Sequence, residues 1–99
     1  MKLLINPLVV TDLKEIRDYI SEDNPDAALR TINEIYKGFE TLQQFPNIGA
    51  DLAKRVTFKT DYKYFVHGNY ITIYRVKKEQ VEIYRVISGY QDITGILFR

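Results

Sequence analysis

Two asparagine–proline pairs, each followed by apolar residues at helical spacing, constrain the fold of this chain more than any other feature. Proline is favoured at the first helical position, and a preceding asparagine side chain can accept a hydrogen bond from a free amide. The first pair is Asn6-Pro7. After it, apolar residues recur at steps of three and four, namely Val9, Leu13, Ile16 and Ile20. This spacing predicts a helix from about residue 7 to about residue 22.

The second pair, Asn24-Pro25, predicts a second helix that ends before Pro46, where the missing N–H forbids further helix. Its apolar stripe is Ala28, Ile32, Ile35, Phe39 and Leu42. The joint at residues 21–24 is short, so we expect the two helices to pack as an antiparallel hairpin. We expect the outer faces of the hairpin to carry the acidic residues Asp12, Glu15, Asp18, Glu34 and Glu40.

Beyond residue 59 the pattern changes from helical periodicity to short runs rich in Tyr, Val, Ile and Phe. The runs cover residues 62–67, 70–77 and 80–88, and the joints between them are Gly68-Asn69 and Lys78-Glu79. Runs of this composition with two-residue joints predict an antiparallel three-stranded meander. Gly68 suits the first central position of a type II′ turn. Residues 47–59 show neither period and are predicted to form a loop.

The two-residue turns also predict which residues share a face of the sheet. One predicted face holds Lys63, Phe65, His67, Tyr70, Thr72, Tyr74, Val76, Val81, Ile83, Arg85 and Ile87. The other holds Tyr62, Tyr64, Val66, Ile71, Ile73, Arg75, Glu82, Tyr84 and Val86, with Arg75 opposite Glu82. Both faces are too apolar for open water. We therefore expect the helices to cover one of them, and the sequence leaves open which.

The N-terminus and the composition exclude several classes of protein. The apolar start, residues 1–5, meets Asn6-Pro7 too early for a signal-peptide core or a membrane span, so we predict a strand in a cytoplasmic protein. There is no cysteine and one histidine, so no metal or cofactor site is predicted. The expected architecture is one α+β domain over residues 1–99, with an N-terminal strand, a helix hairpin, the meander and a short tail.

Charge is distributed unevenly along the chain, although the net charge is only +1. Residues 1–53 contain five Lys/Arg against nine Asp/Glu, a net −4, and residues 54–99 contain nine against four, a net +5. A basic half of this kind is either a surface that contacts a polyanion or an acidic protein, or a chance imbalance on a solvated surface.

The order of elements and several local patterns resemble the RelE/ParE superfamily of toxins from bacterial type II toxin–antitoxin systems. The resemblance covers essentially the whole chain. In the helices it rests on Asp12-Leu13-Lys14-Glu15-Ile16, Tyr19-Ile20, Asn24-Pro25, Ala27-Ala28, Leu42, Phe45-Pro46 and Gly49. In the meander it rests on Tyr62-Lys63, the strand from Tyr70 to Val76, and Tyr84-Arg85-Val86-Ile87 followed by Gly89 and Asp92. It implies a growth inhibitor that a cognate antitoxin silences, in systems associated with plasmid stabilization.

One function that the resemblance implies is ribosome-dependent cleavage of mRNA, an mRNA interferase activity. Lys63 occupies the place of a catalytic arginine in the family, and Arg85 is predicted on the same face. The preceding loop offers Lys54, Arg55 and Lys59 for RNA binding. Such chemistry needs cations for the transition-state charge and a proton donor, for which Tyr90 and His67 are the candidates. His67 precedes the Gly-Asn turn, where a solvated loop histidine is the commoner situation.

The sequence also departs from the RNA-cleaving members. Residues 88–92, Ser-Gly-Tyr-Gln-Asp, stand where those members carry Lys-Arg, Arg-Arg or His-Tyr groups. The alternative is a ParE-like, non-catalytic inhibitor of DNA gyrase, and a third hypothesis is an inactive toxin that only forms a complex. Lys63 and Arg85 would then simply cover apolar sheet surface with their aliphatic stems. The tail residues Ile93, Ile96, Leu97 and Phe98 either line an antitoxin groove or close the toxin's own core.

Overall fold

The computed structural model describes residues 1–89, and its elements follow the predicted order with two additions, which lie within the predicted loop. Strand β1 (Lys2–Ile5) precedes helices α1 (Pro7–Ser21) and α2 (Pro25–Gln44). A short strand, β2 (Ala50–Asp51), leads into a 3-10 helix (Leu52–Lys54), and β3 (Lys63–His67), β4 (Tyr70–Lys77) and β5 (Gln80–Ser88) form the meander. The α+β prediction is confirmed. Tyr90 and the apolar tail lie outside the described residues.

The strands form one five-stranded sheet in the order β1-β5-β4-β3-β2. Strand β1 pairs parallel with β5, while every other pairing is antiparallel. The helix hairpin is the crossover between β1 and the meander. It returns the chain to the far side of the sheet, where β2 pairs with the start of β3. The parallel pairing and β2 were not predicted.

Both helices begin at the predicted asparagine caps. The side chain of Asn6 accepts a hydrogen bond from the Leu8 amide at 2.9 Å, and that of Asn24 accepts one from the Ala27 amide at 3.1 Å. The proline after each cap occupies the first helical position, where no N–H is needed. The predicted hairpin is therefore confirmed, with α1 ending at Ser21.

The helix hairpin covers one face of the sheet, and the main core lies between them. Its fully or nearly buried members are Val9, Leu13, Ile35, Phe39 and Leu42 from the helices and Tyr74, Val81, Ile83 and Val86 from the strands. Burying a side chain of this size contributes roughly 1.5–3 kcal/mol. The covered face is the one that carries Phe65, Thr72 and Tyr74, so the structure resolves the choice that the sequence left open.

A bulge in β5 corrects the predicted register of the last strand. The β3–β4 pairing follows the two-residue turn as predicted, and Arg75 pairs with Glu82. The register then shifts. Tyr74 pairs with Ile83 and Ile73 pairs with Arg85, so Tyr84 is the extra residue. Beyond it the side chains of β5 exchange faces. Val86 joins the helix-side core and Ile87 joins the opposite face, so the predicted placements of Arg85, Val86 and Ile87 were wrong.

A second, smaller cluster lies on the face away from the helices. Leu52 of the 3-10 helix packs there on Ile73 and Ile87, and all three are buried. Around them lie the partly buried residues Val56, Tyr62, Tyr64, Ile71 and Tyr84. The segment after β2 thus covers part of this face and leaves an aromatic surface beside it. We call that surface the open face and define it by Leu4, Tyr62, Arg75, Glu82 and Tyr84.

Gly49 and Tyr74 together fix the exit of the chain from α2. The buried hydroxyl of Tyr74 donates a hydrogen bond to the Pro46 carbonyl at 2.8 Å and accepts one from the Gly49 amide at 3.0 Å. A Cβ at Gly49 would lie 2.5 Å from that hydroxyl and 2.7 Å from the Tyr64 carbonyl oxygen. Glycine is needed here because there is no room for a side chain.

Candidate functional site

Lys63, the first candidate for charge stabilisation, is engaged by a neighbouring carboxylate. It lies at the start of β3, where Asp51 of β2 pairs with it. Its ammonium Nζ is 2.8 Å from the Asp51 carboxylate oxygen, and its side chain is only 22% exposed. The hydrogen bond and charge of Lys63 lower the pKa of Asp51, and the charge of Lys54 adds to the effect. Lys63 thus acts in the structure as the partner of Asp51.

Arg85, the second candidate, is tied to helix α1. Its Nε and one terminal nitrogen each donate to a different carboxylate oxygen of Asp12 at 2.8 Å, a bidentate pair. Asp12 also accepts the Val86 amide at 3.0 Å and is 6% exposed. The hydrogen bonds from Arg85 to Asp12 raise the pKa of Arg85. The expectation that Asp12 lies on the outer helix face was wrong, because its carboxylate meets the edge of β5 where β1 has ended.

The bulge separates the two candidate cations. Lys63 pairs across β4 with Tyr74 on the helix side, whereas Arg85 pairs with Ile73 after the register shift. Strands β3 and β5 flank β4, so their backbones lie roughly 10 Å apart across the sheet. The prediction that Lys63 and Arg85 share a face is wrong, and the two do not form a common phosphate cradle.

His67, a candidate proton donor, is packed into the protein rather than solvated. Its Nε2 is 2.7 Å from the hydroxyl of the fully buried Thr72, and its ring stacks on Phe65 with the centroids 5.6 Å apart. Gly38 of α2 leaves room for the ring, since a Cβ there would lie 3.6 Å from Nδ1. Burial lowers the pKa of His67. The expectation of a solvated loop histidine was therefore wrong.

The loop residue Arg55 lies on the opposite side of the sheet from Lys63. The guanidinium of Arg55 is 5.4 Å from the centre of the Tyr64 ring, away from the helices, while Lys63 is on the helix side. Lys54 and Lys59 are exposed. Tyr90 belongs to the residues outside the description. Within residues 1–89, the structure brings no candidate proton donor together with Lys63 or Arg85.

The open face is the surface where aromatic and charged groups do converge. The Tyr62 and Tyr84 rings are 5.1 Å apart, and the Arg75 guanidinium is 5.2 Å from the centre of the Tyr62 ring. Arg75 also contacts Glu82 at 3.4 Å. A groove of about 390 Å³ runs here, bounded by β1 residues and by the start of α1. Tyrosine and arginine in such an arrangement suit contact with a protein segment better than proton transfer.

Sequence reasoning missed the groups that hold the candidates, Asp12, Asp51 and Thr72. Asp12 had a detectable signal, because it is three residues after Val9 and four before Ile16, next to the apolar stripe of α1. Asp51 and Thr72 gave no comparable signal. In the described part of the chain, no three acidic or histidine side chains come together as a metal site. No helix within residues 1–89 is long and apolar enough to cross a membrane.

Comparisons with known proteins agree with the geometry of the fold. The family model for the ParE toxin of the type II toxin–antitoxin system parDE matches residues 3–93. Among solved structures, a chain from the chromosomal ParDE toxin–antitoxin system of P. aeruginosa is 25% identical with a TM-score of 0.71. That match covers 89% of this chain and 95% of the other. No curated protein sequence matches significantly.

Proposed function

This chain belongs to the ParE toxin family of type II toxin–antitoxin systems, and on that premise we propose that it inhibits growth by non-catalytic contact with DNA gyrase. The observation that carries the proposal is the engagement of its candidate catalytic groups by internal partners. Asp51 holds Lys63, Asp12 holds Arg85, and Thr72 holds His67. A cognate antitoxin is the partner that membership of such a system implies.

The Asp12–Arg85 pair supports this proposal most strongly. Phosphoryl transfer rewards cations that are preorganised toward the phosphate, with nothing else neutralising them. Arg85 instead donates two 2.8 Å hydrogen bonds to a carboxylate that is 6% exposed. Withdrawing Arg85 would leave that carboxylate buried without its counter-charge, which typically costs about 3–5 kcal/mol. The pair is thus a structural feature that holds α1 on the edge of β5.

The open face supports contact with a protein as the mode of action. It combines two tyrosine rings and an arginine with an aliphatic border from Leu4, which is 48% exposed. Tyrosine and arginine are the residue types that most often carry binding energy in protein interfaces. We propose that gyrase and the antitoxin compete for this surface, because a silenced toxin must have its target surface covered.

The first test measures gyrase activity directly. We expect purified protein to block ATP-dependent supercoiling of relaxed plasmid and the antitoxin to restore it. Expression without antitoxin should arrest growth, while primer extension on translated mRNA shows no new breaks. Full supercoiling at saturating toxin would overturn the proposal, and new breaks in translated mRNA would establish the nuclease alternative.

The second test uses Lys63→Gln, which keeps a hydrogen-bonding group beside Asp51 but removes the positive charge. A nuclease that uses Lys63 would lose toxicity, whereas a gyrase inhibitor should retain it within about threefold, since less than 1 kcal/mol of binding is at stake. Lys14→Gln, at an exposed position of α1, is the matched control. Loss of growth arrest in Lys63→Gln alone, with the free energy of unfolding unchanged, would contradict the non-catalytic proposal.

A further inference from the structure

A groove lies away from the open face, between α2 and the β3–β4 turn. Its volume is about 680 Å³, within the range of small-molecule sites. The groups used in the argument are Arg30, Glu34 and Lys37 on the helix side and His67, Asn69 and Tyr70 on the sheet side. The proposed contact with gyrase leaves this groove unused.

The groove carries a net positive charge, and its cations form no strong ion pair within the described residues. Arg30 forms no ion pair with any other residue that the structure describes. Lys37 contacts Glu34 at 3.5 Å, but both side chains are about 70% exposed, so water screens that pair strongly. Two cations thus face one carboxylate, and an incoming anion would meet a net attraction.

His67 also lines the groove and has one ring nitrogen that Thr72 does not engage. Thr72 engages Nε2, so Nδ1 is the ring nitrogen left on the side of α2. The other titratable and charged groups that line the groove are Arg30, Glu34 and Lys37 from α2 and Tyr70 from β4. Burial lowers the pKa of this imidazole, so the empty groove disfavours the protonated ring.

We propose that this groove binds an oxyanion of the phosphate or sulfate type, with Arg30 as its charged anchor and Lys37, the His67 imidazole and the Asn69 amide as further donors. The planar guanidinium of Arg30 can donate two parallel hydrogen bonds to such a group, which is the arrangement that favours arginine in phosphate recognition. The proposal does not depend on the gyrase proposal, because it uses neither the open face nor the toxin's target.

Bound anion and His67 protonation should be coupled. A dianion next to the ring favours the imidazolium form, so it should raise the pKa of His67 and oppose the effect of burial. By reciprocity, the groove should bind the anion more tightly as the pH falls toward 6. A merely structural histidine in the same place would not respond to anions.

His67 is the only histidine of the chain, so its imidazole signals in NMR spectra of the 99-residue chain are an unambiguous reporter. We expect sodium sulfate, titrated at constant ionic strength against sodium chloride, to shift them saturably and to raise the pKa of His67. Arg30→Gln should weaken sulfate binding at least tenfold, because a charged hydrogen-bonding partner is lost. Glu34→Gln should tighten it, and Arg17→Gln, on the exposed part of α1, should leave it unchanged.

Two further arms complete the test. Arg30→Lys keeps the charge without the bidentate geometry, so we expect intermediate binding. Tighter binding of a nucleoside monophosphate than of inorganic phosphate would identify a nucleotide as the source of the anion, and equal binding would identify the free ion. A shift that does not saturate, that chloride reproduces, or that persists unchanged in folded Arg30→Gln would overturn the proposal.

Discussion

Single residues decide what the cations of this protein can do. Arg85 and Lys63 are basic residues on a sheet and could in principle bind phosphate. In each of them, however, a side-chain nitrogen lies 2.8 Å from an aspartate carboxylate oxygen. The carboxylate partners come from distant parts of the chain, since Asp12 and Arg85 are 73 residues apart. The function of such a cation depends on its partner more than on its position in a motif.

At the residue scale, Asp12→Ala should be one of the most destabilising single changes. It leaves the largely buried Arg85 without its counter-charge and the Val86 amide without its acceptor. Because Arg85 keeps some exposure, we expect a loss of about 3 kcal/mol in the free energy of unfolding, measured by urea denaturation. Asp12→Asn, which keeps an acceptor oxygen, should lose less. The control is Asp18→Ala, a surface residue that should change stability by less than about 0.5 kcal/mol.

His67 should make stability depend on pH in a defined direction. Burial lowers its pKa in the folded protein from the ordinary value of 6.5, so the folded state disfavours the protonated ring. The stabilisation from the neutral ring is therefore fully present above about pH 6.5 and is lost as the pH falls through that value toward the folded pKa. Urea denaturation at pH 7.5 and pH 5.5 in sulfate-free buffer should show a larger loss for the native chain than for His67→Asn. Equal losses would rule out this role.

At the scale of elements, local signals specified the helices and turns, while contacts between distant segments specified the rest. The Asn-Pro caps and Gly68 act within a few residues, which is why the hairpin and the first turn were predictable. The bulge at Tyr84 and the parallel pairing of β1 with β5 depend on how the hairpin crosses the sheet. A one-residue bulge moves the side chains after it to the opposite face of the sheet. The bulge at Tyr84 is therefore the reason that Arg85 was predicted on the wrong face.

Replacing Gly49 tests whether the exit of the chain from α2 requires a residue without a side chain. Gly49→Ala would force its Cβ against the Tyr74 hydroxyl and the Tyr64 carbonyl, at 2.5 and 2.7 Å, so we expect a loss of about 2 kcal/mol in the free energy of unfolding. Gly38→Ala is the matched control. Its Cβ would make ordinary contacts of 3.6 Å or more inside a helix, so it should be neutral or stabilise by up to about 1 kcal/mol. Similar losses in both variants would contradict this explanation.

The β4–β5 turn offers a stabilising substitution. Lys78 and Glu79 have φ values of 51° and 62°, a left-handed conformation that costs residues with a Cβ energy and that glycine adopts freely. Glu79→Gly should therefore raise the free energy of unfolding by roughly 0.5–1 kcal/mol, as thermal or urea denaturation would measure. Asn69→Gly, at a turn position without positive φ, should give no gain. A loss of stability in Glu79→Gly would show that the turn is held by its side chains.

At the scale of the whole molecule, the sheet divides the protein into two sides with different roles. On one side the helix hairpin closes the core. The hairpin belongs to residues 1–53, which contain most of the acidic residues of the chain. On the other side a small buried cluster is surrounded by partly buried side chains, and tyrosines, Arg55 and Arg75 border it. A partly exposed apolar surface with cations at its border suits the binding of an amphipathic, acidic segment that folds as it binds.

The two sides lead to a prediction about the antitoxin. We expect Tyr62→Ala and Tyr84→Ala each to weaken the toxin–antitoxin complex by ten- to a hundredfold in calorimetric titrations, as truncation of central aromatic residues in interfaces commonly does. The control is Tyr19→Ala, because Tyr19 is 74% exposed on α1, away from the open face, and should leave the affinity unchanged. Urea denaturation separates loss of binding from loss of folding, since Tyr62 and Tyr84 also contact each other. Full affinity in folded Tyr62→Ala and Tyr84→Ala would place the antitoxin elsewhere and would also remove the basis for its competition with gyrase on the open face.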